Sequence, residues 1–548
     1  MPIALIGSKH GQPSLNRNQG TLRNWIAPGA FLGVLFVWPV ARLLGLGLST
    51  PWLDGLLTVR TGRIVWFTTW QALACAALCV ALAIPSAYVL HVRRFRGQGA
   101  IRTLITVPFI MPTIVVAIAF TSLKNLPVLG PALFGHSPVS SIICAQVFMN
   151  YGLVVRAVGS AWSSLDPSSE NAAALDGAGR IRTFASITLP QLAGAISSSA
   201  LLVFLYCATS FGIVLVLGGG LVHSIETEMY VQALQHLDLG TTAGLAIIQT
   251  LITALAFAGF YRIGKPDLDL ADGVSTRTRK QLDRRDWPAA LITFVVVAVL
   301  IIAPIISLIV KAFTFDETFS LQNFVHLASF GARDLLSITV GQAALNSARN
   351  LLLAGALAML VGTRVSYLLA RPTTSPRTRA VSDTLFQLPV GISSVVLGLA
   401  YLVTFSDGVF PLRSSWLAVP LAQALIAIPL VIRLVYPAIL SVDRDVTQGA
   451  RTEGATDEQI WWLIQAPIIR GALRTAAAYV ALISLGEFGA ASFLVYGDQG
   501  TLPTVLYQLI SRPGAQNYGM AMATSFVLMS VSFAVVAFVG MRSEKQFD

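Results

Sequence analysis

The sequence predicts an all-α polytopic membrane protein, with about twelve transmembrane helices set out as two parallel six-helix repeats. Three observations predict this: a composition too apolar for a soluble chain, apolar runs of membrane length with one-sided Lys and Arg, and an internal repeat. Of 548 residues, 55% are hydrophobic and 11% charged, whereas a soluble domain carries roughly 25% charged residues. A bilayer core about 30 Å thick takes about 20 apolar residues per helix. A β-barrel would show short alternating strands, and none stand out.

The runs follow in order. In the first half they lie near Trp25–Leu48, Trp66–Leu90, Leu104–Leu123, Ser140–Trp162, Ala195–Leu217 and Thr241–Tyr261. The second half gives Trp287–Phe313, Leu345–Ala370, Asp383–Phe405, Ser414–Ala438, Thr475–Val495 and Tyr518–Met541. Residues 1–262 and 288–548 are therefore read as two membrane domains. The polar stretch 263–287 between them carries Lys265, Arg277, Arg279, Lys280, Arg284 and Arg285, and reads as a cytoplasmic linker. Met1 to Arg23 is polar without an apolar h-region, so the first helix is expected to serve as the targeting signal.

With the N-terminus inside, the inner loops hold Arg93, Arg94, Arg96, Arg102, Arg180, Arg182, the linker cluster, Arg371, Arg377, Arg379, Arg444, Arg451, Arg470, Arg474, Arg542 and Lys545. The outer loops hold Arg60, Arg63, Lys124, Arg333, Arg413 and Arg512. This asymmetry predicts an inner-membrane chain with both termini cytoplasmic. The net charge of +11 is absorbed by these clusters. No aromatic-interleaved basic patch exists, so nucleic acid is not an expected partner; the lipid bilayer is.

The halves repeat at a fixed offset. Gln146 matches Gln423, Arg156 matches Arg433, Asp166 matches Asp443 and Gly177 matches Gly454. Pro190 matches Pro467, Phe211-Gly212 matches Phe488-Gly489, and Tyr230 matches Tyr507. Each pair is 277 positions apart. Tyr88/Tyr367 and Pro108/Pro389 differ by 279 and 281. An even number of helices per copy points both copies the same way, with a pathway between them.

The longest inner loop of each half carries a shared pattern. One reads Asn171-Ala172-Ala173-Ala174-Leu175-Asp176-Gly177-Ala178 and ends at Leu189-Pro190. The other reads Gln448-Gly449-Ala450-Arg451-Thr452-Glu453-Gly454-Ala455 and ends at Ala466-Pro467. Small residues allow close helix approach, and Gly177 and Gly454 allow a sharp turn. Phe184 and Ile187, or Trp461 and Ile464, form an apolar face able to enter a groove on a partner. Pro190 and Pro467 are expected to end the segment.

Both loops resemble the EAA loop of ABC importer permeases: Glu-Ala-Ala, three residues, Gly, about nine residues, an apolar residue and Pro. The usual Glu is Asn171 in one half and Gln448 in the other, with Glu170 one position early. The resemblance covers nearly the whole chain after residue 65. Ala83 to Tyr88, Gly362 to Tyr367 and Leu388 to Gly398 are similar to the second and third helices of these permeases. The fused layout resembles the thiamine and iron(III) permeases. The resemblance implies two type I importer permease repeats and two ABC ATPase subunits gripping the loops. It also implies an extracytoplasmic substrate-binding protein outside. Substrate specificity would reside largely in that protein, with thiamine or iron(III) as the substrate.

Other features are weaker. Gly259 to Lys265 nearly fits a P-loop, but Pro266 follows and no strand precedes it. No enzyme or cofactor site of the chain's own is therefore expected; ATP and Mg belong to the partner ATPase. The six histidines show no metal-ligand spacing, and Cys75, Cys79, Cys144 and Cys207 read as small core residues, so no metal site is expected. Glu487 falls inside a predicted membrane helix, where acids are costly; it lines the pathway or is a hydrogen-bonded packing residue, with Ser210 its mate. Pro108, Pro112 and Pro389 either break helices at the pathway or kink them. Arg156 and Arg433 are expected to snorkel. Glu226 and Glu228, on the outer loop after the fifth helix, read as contacts for a binding protein or as solvated. The competing class is an ion-driven secondary transporter with parallel repeats, which predicts midplane ionisable residues in both halves. A membrane scaffold would need no paired loops.

Overall fold

The computed structural model describes residues 17–49, 58–135, 137–263, 280–371, 374–406, 412 and 415–544. Most of the joining segment, including Lys265, Arg277 and Arg279, lies outside them, as do Pro266, Arg413 and Lys545. Among the described residues, nine helices are long and apolar enough to cross a membrane, and three bent pairs bring the number to twelve. Six fall in each half, which is the fold read from the apolar runs.

Two runs expected as single helices are bent, and a third bend joins the second loop to its membrane helix. Gln98–Ile110 and Thr113–Lys124 meet at 108°, Pro376–Gly391 and Ser394–Phe405 at 96°, and Glu458–Ile468 and Arg470–Gly486 at 76°. The first two bends follow from local chemistry. Pro112 cannot donate to the preceding turn, and Met111 is held extended before it (ψ 137°). In the second half the 3-10 turn Leu388–Gly391 contains Pro389, and Ser393 then caps a new helix by accepting the Val396 N–H at 3.2 Å. Pro108 and Pro389 each sit one turn before their bend. Their carbonyls accept the Met111 and Ile392 N–H groups at 3.2 and 3.3 Å.

Two further runs are interrupted where the expectation had them continuous. Leu189–Ala208 stops at Thr209-Ser210, and Phe211–Gly218 begins beyond. Arg470–Gly486 stops at Glu487, and Ala491–Leu494 follows. Each break frees carbonyls that no water can satisfy in a bilayer. Buried glutamines supply the donors. Gln71 Nε2 donates to Cys207 O at 3.0 Å, and Gln249 Nε2 to Ala208 O at 3.1 Å. In the other half Gln423 Nε2 donates to Ser484 O at 3.0 Å.

The halves exchange their first helices. Trp38 in the first helix meets Phe405 of the second half edge-on at 5.5 Å. The helix from Trp287 packs against Thr113–Lys124 of the first half, with Ser307 Oγ and Ser122 Oγ 2.7 Å apart. The apolar core runs unbroken through both halves.

Candidate functional site: two paired loops and a central constriction

The loops at one end of the bundle are built alike. Asp166 Oδ1 accepts the Ser168 N–H at 3.0 Å and Asp443 Oδ1 the Asp445 N–H at 2.9 Å, so an Asx turn leads into each loop's first helix. Hydrogen bonds from the Ser168 hydroxyl and backbone N–H hold the exposed Asp166 carboxyl below the usual carboxylate range. The first helices, Ser168–Leu175 and Arg444–Thr452, end on left-handed glycines: Gly177 at φ +82° and Gly454 at φ +87°. Ala178 N–H reaches Ala173 O, and Ala455 N–H reaches Ala450 O, both at 2.9 Å. These are Schellman closures, which favour glycine at the left-handed position.

Phe184 and Trp461 do not face outward for a partner. Phe184 stacks on Trp162 at 5.6 Å, and Trp461 meets Tyr367 edge-on at 5.5 Å. Both aromatic groups therefore anchor their loop to the chain's own membrane helices. The apolar side chains left uncovered are others: Leu175 (89% exposed), Ile181 (86%), Trp462 (65%) and Leu463 (74%). Asn171, Ala172 and Gln448 are exposed beside them, while Ala173 and Ala450 are half-buried. Glu170 turns inward, accepting from the Thr188 hydroxyl at 2.9 Å and so tying the two helices of its loop together.

Pro190 does not end its segment, whereas the second loop's segment ends at Ile468, one residue past Pro467. Residues Arg180–Ala208 form one continuous helix through Pro190. A wide turn, Phe184–Thr188, precedes it, and Leu189 N–H reaches back to Phe184 O. Trp461–Gln465 repeats this, with Ala466 N–H to Trp461 O. The i→i−5 turn absorbs the donor that proline lacks. In the second half the helix bends only after Pro467, at Ile469.

The two helix breaks meet at the centre of the molecule. Phe211 and Phe488 stack across the two halves at 5.2 Å and 26°, and Tyr230 meets Tyr507 at 6.1 Å. Phe211–Tyr230 and Phe488–Tyr507 close the cluster at 5.6 and 5.7 Å. Both cross-half pairs join repeat-equivalent residues, so they mark the pseudo-two-fold axis. Ser210 and Glu487 are buried beside this stack. Glu487 is a capping residue here: its Oε1 accepts Ala490 N–H at 2.7 Å and its Oε2 accepts Ala491 N–H at 3.0 Å. Gly212 and Gly486 bring the bent third helix of the first half close. A Cβ at Gly212 would lie 2.9 Å from Thr113 Oγ1. Pro108 and Pro389 are buried one turn away rather than in the stack.

Glu226 and Glu228 are not solvated. They are 1% and 2% exposed, in the first turn of Ile225–Leu234. Glu228 pairs with Arg60 at 2.9 Å, and His223 Nδ1 lies 3.4 Å from it. Among the described residues no group of three His, Cys, Asp or Glu could hold a metal ion.

Known proteins match this architecture over most of its length. A family model described as binding-protein-dependent transport system inner membrane component matches residues 79–265 and again 362–546, more than half the chain. The chain belongs to this family. The double match is the duplication read from the 277-residue offset, and it makes the protein a fused, two-domain permease of the ABC importer class. It is similar to the thiamine transport system permease protein ThiP of Brucella abortus (strain 2308), 26% identical over 489 residues that cover 86% of each chain. The protein of the same name from Escherichia coli (strain K12) is 25% identical over 550 residues, covering 95% of this chain and 97% of its own. The ferric transport system permease protein FbpB of Actinobacillus pleuropneumoniae is 24% identical over 410 residues, covering 73% of this chain and 58% of its own. No support for an ion-driven transporter emerges from these matches.

The glutamines that satisfy the broken helices, and the stacked phenylalanines, were not singled out from sequence as working residues. Gln71, Gln249 and Gln423 were visible as amides inside apolar runs, a signal of this kind of duty.

Proposed function

We propose that this permease forms the membrane pathway of an ATP-driven thiamine importer. Two ATPase subunits dock on the loops 171–190 and 448–467, and an extracytoplasmic binding protein docks on the opposite face. The observation that carries the reading is the pair of loops: the same Asx turns, the same left-handed glycines and the same inward aromatic anchor, 277 residues apart. Two docking elements of one backbone design fit two copies of one partner. Leu175, Ile181, Trp462 and Leu463 are the apolar groups that a groove on each ATPase would cover. Asn171 and Gln448 can hydrogen-bond there but cannot form the salt bridge a Glu would make.

In this reading the loops are cytoplasmic, as are both termini, because the Arg and Lys excess lies at that end. ATP, with Mg, is bound and hydrolysed by the partner. Closure of the ATPases draws the loops together, and the Phe211–Phe488 constriction opens. Ser210 and Glu487 flank that constriction. Thiamine is preferred over iron(III) because the thiamine-type relatives align along nearly the full length of both chains.

The test is uptake of labelled thiamine and labelled iron(III), side by side, in cells with and without the gene. Loss of thiamine uptake alone supports the proposal. Loss of iron uptake alone overturns the substrate and moves the chain to the ferric importers. Loss of neither rejects both substrates.

A further inference from the structure

The segment joining the halves ends on a buried carboxylate. Asp286 has 1% of its side chain exposed and stands immediately before the membrane helix that opens at Trp287. Two distant pieces of chain converge on it, beside a local N–H. Tyr88 Oη donates to its Oδ1 at 2.9 Å, and Arg93 Nε lies 2.9 Å from its Oδ2. Arg180 Nη1 lies 3.3 Å from Oδ1. Asp283 N–H closes the set at 3.0 Å. Tyr88 and Arg93 belong to the loop end of the Val59–Val92 helix. Arg180 opens the second helix of the first loop. The joining segment is also zipped to the same place: Arg93 pairs with Lys280 and Arg94 with Gln281 in a short parallel ladder, and Leu282 N–H donates to Arg94 O at 3.2 Å.

The second half repeats the Tyr88–Arg93 pair as Tyr367 and Arg371, Nη2 to Oη 3.5 Å, but carries different side chains around it. Where Asp286-Trp287 opens the second half's first apolar run, Asn24-Trp25 opens the first half's, with an amide in place of the acid. The counterpart of Arg180, 277 positions on, is Asp457, so both charges of the Arg180–Asp286 pair are changed. Asn24 Oδ1 instead accepts an exposed hydrogen bond from Arg364 Nη2 at 2.9 Å.

We propose that Asp286 is a positioning residue that locks the first loop to the joining segment and to the Val59–Val92 helix, making the two ATPase-docking loops mechanically unequal. A buried carboxylate shared by two guanidinium groups and a phenol holds its partners in one arrangement, because each would otherwise lose a charge-assisted hydrogen bond. Motion delivered to the first loop then enters two membrane helices through one rigid joint. The second loop moves as a freer lever. The inference rests on the coupling role proposed above for the loops.

The test uses the full chain in nanodiscs, alone and assembled with its ATPase and binding protein. Hydrogen exchange is followed at residues 180–188 and 457–465. The first segment is expected to exchange at least tenfold more slowly. Asp286→Asn and Arg180→Ala should each bring it to the rate of the second, leave the second unchanged, and be no worse when combined. In proteoliposomes, labelled thiamine taken up per ATP hydrolysed should fall several-fold for Asp286→Asn with hydrolysis itself changed less than twofold. Asn24→Ala should leave the ratio intact. Equal exchange in the two loops of the unmodified chain overturns the proposal, as does a proportional fall of uptake and hydrolysis, or an equal loss from Asn24→Ala. If the unmodified complex takes up no thiamine, the substrate reading fails, and the exchange comparison alone decides the joint.

Discussion

Gln423 shows how single side chains keep a broken helix viable inside a membrane. Its amide donates to Ser484 O, and the Ser484 hydroxyl returns a hydrogen bond to Gln423 Oε1 at 2.7 Å. With no water at hand, a lost partner leaves the carbonyl desolvated and unpaired. Gln423→Leu should therefore destabilise the chain by about 1–3 kcal/mol, read as a lower thermal midpoint of the purified protein in detergent. An unchanged midpoint would mean that the break is satisfied some other way. Glu487 is a second case. Its place within an apolar run, and its equivalence to Ser210, were legible in the sequence. Its duty was not, because capping Ala490 and Ala491 requires the helix to stop at Gly486, and the apolar run gives no sign that it stops.

The loops are the elements on which the proposed function turns. Their first helices, glycine turns and spacing were readable because each rests on local chemistry: a small-residue run, a left-handed position and a fixed distance to proline. The direction of Phe184 and Trp461 was not readable, since an amphipathic segment has the same pattern whether its apolar face meets a partner or its own chain. The structure separates the two sets. Phe184→Ala and Trp461→Ala each remove an aromatic pair worth about 0.5–1.5 kcal/mol. They should speed hydrogen exchange in their own loop while leaving association with the ATPase measurable. Leu175→Ser with Ile181→Ser should do the reverse, weakening co-purification with the ATPase and sparing the exchange pattern. Identical behaviour of the two sets would contradict the division. Pro190 shows the same limit of local reading. Proline says that a donor is missing, but not that a wide turn will absorb the loss.

At the scale of the whole molecule, the duplication places an aromatic stack on the axis between the halves, which the proposed function reads as a closed constriction. The stack of Phe211 on Phe488 crosses that axis, and losing it removes about 0.5–1.5 kcal/mol of closed-state preference. A Phe211→Ala, Phe488→Ala double variant should thus leak, with thiamine passing into proteoliposomes without ATP up to about tenfold faster than through the unmodified chain. A tight double variant would place the gate elsewhere. The twelve-span, two-repeat architecture was legible because hydrophobic length and the 277-residue offset are properties of the sequence alone. The exchange of first helices between halves was not legible, because it depends on which surfaces the bundle leaves for Trp38 and Ser307 to cover.

The central claim is that the two loops carry ATP-driven motion into the membrane, and Gly177 and Gly454 test it most directly. Both hold a left-handed backbone at a site where an added Cβ meets nothing, so the penalty of a β-branched residue falls on the turn itself, about 1–2 kcal/mol at each. The measurement is ATP-dependent uptake of labelled thiamine by a Gly177→Val, Gly454→Val double variant, with ATP hydrolysis recorded in the same proteoliposomes. The account predicts hydrolysis that continues while uptake is lost. Uptake at the level of the unmodified permease would contradict it.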